Sequence, residues 1–223
     1  VHPVPAELVG EQMQAVMEDL RPDAIKIGMT GNVEIISEIA RLLHQYSPRQ
    51  VVLDPVMVST SGHNLMTDEA VEAICTLLLP EVSLVTPNLH EAAVLLQQPI
   101  HTVDDMEHAA HLVYEKYHCA CLVKGGHLTG NEMCDVLYDG HELHLFGARR
   151  IHSGNLHGTG CTLSSAIATF LAQGFPLYEA VELAKTYITK AIEAGKDLHI
   201  GQGNGPLCHF PYLVNPVNPL TEE

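Results

Sequence analysis

The chain has 223 residues, enough for one sizeable core, and its 46% hydrophobic and 17% charged content belongs to a folded globular chain rather than a disordered one. A formal charge of −16 with only 11 Lys and Arg argues against tracking nucleic-acid backbones or docking on anionic membranes, since both need clustered cations. No apolar run of bilayer-spanning length is present, and VHPVPAELVGEQ at the N-terminus lacks a basic stretch followed by an apolar one, so the cytoplasm is the expected compartment.

Taken in chain order, residues 6–20 place Leu8, Val9, Met13, Val16, Met17 and Leu20 on one face of a predicted helix. A strand AIKIGM (24–29) follows, then a helix over 33–46, a strand QVVLDPVMV (50–58) and a helix near 67–79. SLVTPN (83–88) reads as a strand, with helices near 88–96 and 103–116 and a further strand, CACLVKGG (119–126). This alternation predicts βαβ crossovers, a mainly parallel sheet and an α/β fold. DVLYDGHELHLF (135–146) differs, because two alternating runs flank Asp139-Gly140, the dipeptide of a two-residue type I′ hairpin. Leu163, Ala166, Ile167, Phe170 and Leu171 then recur at helical spacing before Gly174 as a stop, and 177–195 repeats the pattern. No repeat or linker divides the chain, so residues 1–223 are expected to form one domain.

Gly28-Met29, Asp54-Pro55, Pro87-Asn88 and Gly125-Gly126 all stand where an apolar run ends. In open α/β sheets ligands bind beyond the carboxyl ends of the strands, so this edge is the expected site. Because the overall charge repels anions, any anionic ligand has to be held locally, by backbone amides, a few lysines or a metal.

NLHGTGCTL (155–163) is the sharpest local signal. Gly158 and Gly160 permit a turn whose amides converge, and the helix that follows adds unpaired N–H groups and the positive end of its dipole. Cys161 in that place could take a proton or act as a nucleophile; equally, it could be a small packed thiol after a tight turn. Three chemistries fail on spacing. A C-x5-R phosphate site has Ile167 in place of Arg, the Gly195-Lys196 pair is followed by Asp197 rather than Ser or Thr, and a dinucleotide fingerprint has Leu163 in place of its third glycine. What remains is an anion hole with a Cys base, or acyl-type Cys chemistry with a partner such as His157.

The other motifs also have two readings. KGGH (124–127) can set Lys124 or the Gly125-Gly126 backbone against phosphates, or can simply turn the chain. Asn88 and Glu91 can hold a hydrated Mg²⁺ or cap a helix, and Asp54 can serve a cation or be a solvated turn carboxylate. The His108/His111 and His141/His144 spacings do not predict structural zinc. The six cysteines include no CxxC and are expected as free thiols, with Cys119 and Cys121 on one strand face in the core.

Together AIKIGM, VVLDPVMVSTSGHNLM (51–66), LVTPNLHEAAVLL (84–96), CLVKGGHL (121–128), NLHGTGCTLSSAI (155–167) and GQGNGPLCHF (201–210) resemble the hydroxymethylpyrimidine/phosphomethylpyrimidine kinases of thiamine biosynthesis, in the ribokinase-like superfamily. The resemblance implies a ribokinase-like sheet with helices on both faces and MgATP-dependent phosphorylation of a pyrimidine hydroxymethyl group and then of its monophosphate. It implies Cys161 as the base where sugar-kinase relatives carry Asp, and an anion hole of Gly158, Thr159, Gly160 and Cys161. It also implies pyrimidine contacts at Gly28, Met29 and Val56; ATP near Asn88, Lys124 and Gly126; Mg²⁺ near Glu91 and Asp54; and a homodimer.

The family opens on a strand and a glycine-rich GxDxSGGAGIQAD-type segment that supplies pyrimidine contacts. This chain starts roughly 50 residues downstream of that opening, so an exposed sheet edge is expected where those strands belong. Thr60, His63 and Leu156 depart from the family pattern. Rival readings are a pyridoxal or pyridoxine kinase, a non-catalytic small-molecule-binding module and a Cys hydrolase. Ser59 favours the pyrimidine branch, since relatives with a lid cysteine near that position phosphorylate pyridoxal.

Overall fold

The computed structural model describes residues 2–57, 65–126 and 132–212. Helix α1 (Ala6–Asp19) leads into β1 (Ile25–Ile27), α2 (Val33–Tyr46) and β2 (Val51–Leu53). Then come α3 (Asp68–Ala73), β3 (Leu84–Val85), α4 (Leu89–Leu96), α5 (Val103–Tyr117) and β4 (Ala120–Val123). The hairpin β5 (Glu132–Tyr138) and β6 (Leu143–Arg149) precedes α6 (Thr159–Ala172) and α7 (Leu177–Gly195). The strands form one sheet in the order β1-β2-β3-β4-β5-β6, parallel through β4 and antiparallel from β4 to β6.

Alternation along each strand builds two cores. Ile27, Leu53, Val85 and Cys121 face helices α1 to α5, whereas Val52, Leu84 and Leu122 face α6 and α7 through Ile167, Val181 and Ala184. Every residue of β2, β3 and β4 is buried, as expected of parallel strands covered on both faces. Helix α2 shows how local sequence sets an element: the Asn32 side chain accepts from the Ile35 amide at 2.9 Å, and Ile35, Ile36, Ile39, Ala40, Leu42 and Leu43 fill the buried stripe. Among the described residues no helix is long and apolar enough to cross a membrane.

Three local expectations change. The helix predicted near 67–79 is α-helical only to Ala73, widens to a π turn at Ile74–Leu78 and tightens to a 3₁₀ turn at Leu79–Glu81. Pro80 accounts for the change in pitch, since it has no amide for the Thr76 carbonyl and its ring crowds that turn. The hairpin tip falls on Gly140-His141 rather than Asp139-Gly140, because Tyr138 pairs with Leu143 and the Asp139 amide donates to the Glu142 carbonyl at 3.4 Å. Asp139 Oδ1 accepts from the amides of His141 and Glu142, and of the two central residues Gly140 and His141 only Gly140 has positive φ, so the type I′ geometry does not form. The strands are also shorter than predicted: β1, β2, β3 and β4 stop at Ile27, Leu53, Val85 and Val123, leaving the motif residues just beyond them.

Gly174 does stop α6. With φ +90° it lets Phe175 donate to the Phe170 carbonyl at 3.2 Å and Gly174 to the Leu171 carbonyl at 3.0 Å, while the Phe170 and Phe175 rings meet edge to face. A Cβ there would touch nothing within 4 Å, so a side chain meets only backbone strain. Gly174→Ala is therefore expected to cost about 1–2 kcal/mol in urea unfolding, with turnover per folded molecule unchanged.

Candidate active site

Pairing continues past the strand ends and lines the polar residues up. The Asp54 amide donates to the Ile27 carbonyl (2.9 Å), that of Thr86 to Leu53 (2.9 Å) and that of Lys124 to Pro87 (2.8 Å), with Asn88 bridged to Lys124. Asp54 is only 2% exposed. Its Oδ1 accepts from Lys124 Nζ at 2.7 Å, with Thr86 Oγ1 at 3.5 Å and shared with the Leu53 carbonyl; its Oδ2 lies 3.3 Å from Ser164 Oγ, a hydroxyl shared with the Gly160 and Cys161 carbonyls, and 4.0 Å from Lys26 Nζ. A buried carboxylate persists only if its charge and lone pairs are met, and here four elements supply the partners.

Ser164 comes from α6, whose first turn therefore lies over Asp54. Gly158 caps that helix at φ +87°, and the Thr159 amide and hydroxyl both donate to the Leu156 carbonyl, at 3.3 and 3.1 Å. Among the described residues the amides of Gly160 and Cys161 meet no acceptor. A Cβ on Gly160 would stand 3.3 Å from Lys124 Nζ and 3.9 Å from Asp54 Oδ2, so glycine lets the helix end close on the ammonium. Two open amides, the helix dipole and Lys124 thus converge on one spot suited to an anion. The Cys161 side chain is exposed beside it. His157 engages through its backbone, donating to the Gly205 carbonyl at 3.4 Å, and among the described residues no hydrogen bond links its ring to Cys161.

The turn is clasped from behind. Buried Asn155 donates through Nδ2 to the carbonyls of Gly195 and Leu198, both at 2.7 Å, and a side chain at Gly205 would strike Asn155 Oδ1. This accounts for Gly205, the last glycine of GQGNGP.

Asn88 and Glu91 form a reciprocal capping box on α4: the Glu91 amide donates to Asn88 Oδ1 at 3.0 Å and the Asn88 amide to Glu91 Oε2 at 2.8 Å. Yet Glu91 is 3% exposed and, like Asp54, faces Lys124. Burial pushes its carboxyl above the ordinary 4.5, with Asp54 adding to the rise, while Lys124 and the amides of Asn88 and Met57 pull it back. Among the described residues no three of His, Cys, Asp or Glu converge as metal ligands.

The remaining expected residues lie around this centre. Gly28, Lys26 and Met29, the last 46% exposed, line a largely apolar cavity of about 730 Å³ between β1, α1 and α2. Val56 follows Asp54 in a tight turn, its amide donating to the Asp54 carbonyl at 2.8 Å, and Gly126 is exposed past β4. Ser59, Thr60, His63 and His127 lie outside the described residues.

Sequence reasoning missed Thr86, Ser164, Asp135 and Lys185 and gave Lys26 no role. Asp135, buried on β5, accepts from the Gly125 amide at 2.8 Å and pairs with Lys185 of α7. The signal present was a charged residue in each of two apolar stretches, Asp135 beside Val136-Leu137 and Lys185 among Val181, Ala184 and Ile188.

The phosphomethylpyrimidine kinase family profile matches residues 1–208. A hydroxymethylpyrimidine/phosphomethylpyrimidine kinase of Rhizobium meliloti is 48% identical over 211 residues, covering 94% of this chain and 79% of the relative. A crystal structure of a Clostridium difficile phosphomethylpyrimidine kinase matches with 39% identity and TM-score 0.76, over 86% of this chain and 78% of that one. A Staphylococcus aureus pyridoxal kinase in complex with ADP matches with 32% identity and TM-score 0.87, over 96% and 77%.

The raised Glu91 carboxyl has a direct consequence for stability. Because its folded value lies above its ordinary 4.5, ionised Glu91 costs stability; that cost is absent below 4.5 and grows as pH rises through the folded value. Glu91→Gln keeps an oxygen for the Asn88 amide and removes the charge. Thermal melts are expected to show a higher Tm than the parent at pH 7, with the difference closing toward pH 4.5.

Proposed function

The chain belongs to the phosphomethylpyrimidine kinase family, and from that premise we propose how its own residues carry out the transfer. It is a ribokinase-like kinase that phosphorylates an alcohol group: the hydroxymethyl of the thiamine-precursor pyrimidine, followed by the resulting monophosphate. The observation that carries the residue assignments is the convergence of Lys124 Nζ with the open amides of Gly160 and Cys161 above buried Asp54.

Phosphoryl transfer asks the protein mainly to position groups and neutralise charge. The transferring γ-phosphoryl would sit at the first turn of α6, its oxygens accepting from the Gly160 and Cys161 amides and facing Lys124. Thr159 holds the turn, and Gly158 supplies its left-handed entry. As the hydroxymethyl oxygen attacks phosphorus, its proton passes to the Cys161 thiolate, the bond to the bridging oxygen breaks and ADP leaves. Gly28, Met29 and Val56 would hold the ring, with Gly126 and Asn88 toward the nucleotide. Mg²⁺, when bound with ATP, supplies positive charge at the phosphates. It takes oxygen donors and keeps several waters, so Glu91 in the first turn of α4 and Asp54 just past β2 would face it across those waters. The six free thiols support a cytoplasmic setting.

A pyridoxal kinase is the second reading, favoured by the 0.87 TM-score against the Staphylococcus aureus enzyme. ADP release with MgATP and each ring compound separates the two: pyrimidine turnover is expected to exceed pyridoxal turnover, and the reverse would overturn the pyrimidine assignment. Cys161 makes a sharper prediction. A general base contributes about 10²–10⁴-fold, so Cys161→Ala is expected to lose at least that lower factor on the hydroxymethyl substrate. The monophosphate, whose attacking oxygen is already largely unprotonated at neutral pH, is expected to lose much less. Cys161→Asp should restore part of the first step, and an Ala variant with full kcat would remove Cys161 as the base.

A further inference from the structure

Lys26 faces Asp54 and has no role in the proposed mechanism. It lies on β1 in register with Val52, in a row that runs on through Leu84 toward the core under α6 and α7. A lysine in such a row needs a partner, and the ammonium reaches up to Asp54, ending 4.0 Å from Oδ2. Gly28 makes room for it, since a Cβ there would stand 2.8 Å from Lys26 Nζ. One buried carboxylate therefore faces two ammonium groups, Lys124 hydrogen-bonded at 2.7 Å and Lys26 just out of hydrogen-bond range.

Lys124 has a second claim on it, for its ammonium also borders Gly160 at the open amides of α6. If it turns to a phosphate there, it must give up Asp54. The Thr86 and Ser164 hydroxyls would remain as hydrogen-bond partners but carry no charge, and a buried carboxylate left without a counter-charge is costly. We propose that Lys26 is a positioning residue that closes the remaining distance and takes over Asp54, releasing Lys124 to the phosphate. Lys26 thus acts through Asp54 and does not touch the nucleotide. This rests on the kinase reading above.

The test compares Lys26→Met and Lys26→Arg, each in the parent and in Asp54→Asn, by calorimetric titration with ADP in the presence and absence of Mg²⁺ and by unfolding midpoints with and without saturating ADP. Lys26→Met is expected to weaken ADP about tenfold with or without Mg²⁺, and Lys26→Arg to retain most of the affinity. In Asp54→Asn, where no charge needs a replacement partner, Lys26→Met should change affinity by less than about twofold. The midpoint of ligand-free Lys26→Met should stay near the parent's while the ADP-induced increase shrinks; this decides the matter if Asp54→Asn does not bind ADP. The inference is overturned by unchanged ADP affinity in Lys26→Met, by an equal loss in Asp54→Asn, by a defect that Mg²⁺ abolishes, or by a lowered ligand-free midpoint with an undiminished ADP increase. A parent protein that neither binds ADP nor turns over MgATP would instead overturn the kinase reading.

Discussion

A carboxylate closed off from water at the end of β2 has to be neutralised, and meeting that demand at Asp54 fixes the arrangement around it. Lys26 comes from β1, Thr86 from beyond β3, Lys124 from beyond β4 and Ser164 from α6. Partners with these sequence separations can be satisfied only when the sheet is assembled and α6 is docked across its carboxyl edge. The charge that is expensive to bury therefore acts as a registration point: it sets where the first turn of α6 lies relative to the strand ends, and so where the open amides of Gly160 and Cys161 point.

The same cluster reconciles a chain of charge −16 with an anionic cosubstrate. Exposed acidic residues act through water and salt, with a screening length of about 8 Å at physiological ionic strength. Lys26 and Lys124 are largely shielded from both, and the amides and dipole of α6 add a fixed positive end that no titration removes. Close to the first turn these local terms act at short range, where the distant negative surface is screened. The overall charge thus discourages large polyanions, while the cleft still offers a site for a compact one.

Much of this was legible in the sequence where a signal is local. Alternating strand and helix periods gave the parallel sheet, the motif residues Gly28-Met29, Asp54-Pro55, Pro87-Asn88 and Gly125-Gly126 gave the edge at which the candidate site lies, and HGTGC gave the helix start. Asn88 and Glu91 posed a choice between capping and chemistry; the structure shows the capping, with Glu91 buried near Lys124 as well. What was not legible depends on distant pairing. Asp54 meets Ser164 across 110 positions and Lys124 across 70, and one sequence does not say which carboxylate meets which cation. The tip of the β5–β6 hairpin was misplaced by one residue because the Asp139 carboxylate, rather than a type I′ backbone, organises the turn. Pro80 was visible, but its effect on the preceding turns was not.

The antiparallel end of the sheet follows from the need to aim Lys124. Past Val123 the chain must leave the sheet to begin the hairpin, and the two glycines at 125 and 126 would leave that exit free to move. Asp135, brought alongside by the antiparallel pairing of β4 with β5, accepts the Gly125 amide, and Lys185 on α7 satisfies its second oxygen. This second buried ion pair is a weak source of net stability, because desolvation offsets much of the attraction. Its effect is positional. It ties the residue after Lys124 to both the hairpin and α7, so the backbone that carries the lysine is held. The exchange of anionic partners proposed for Lys124 would start from that fixed base, with only its side chain having to turn.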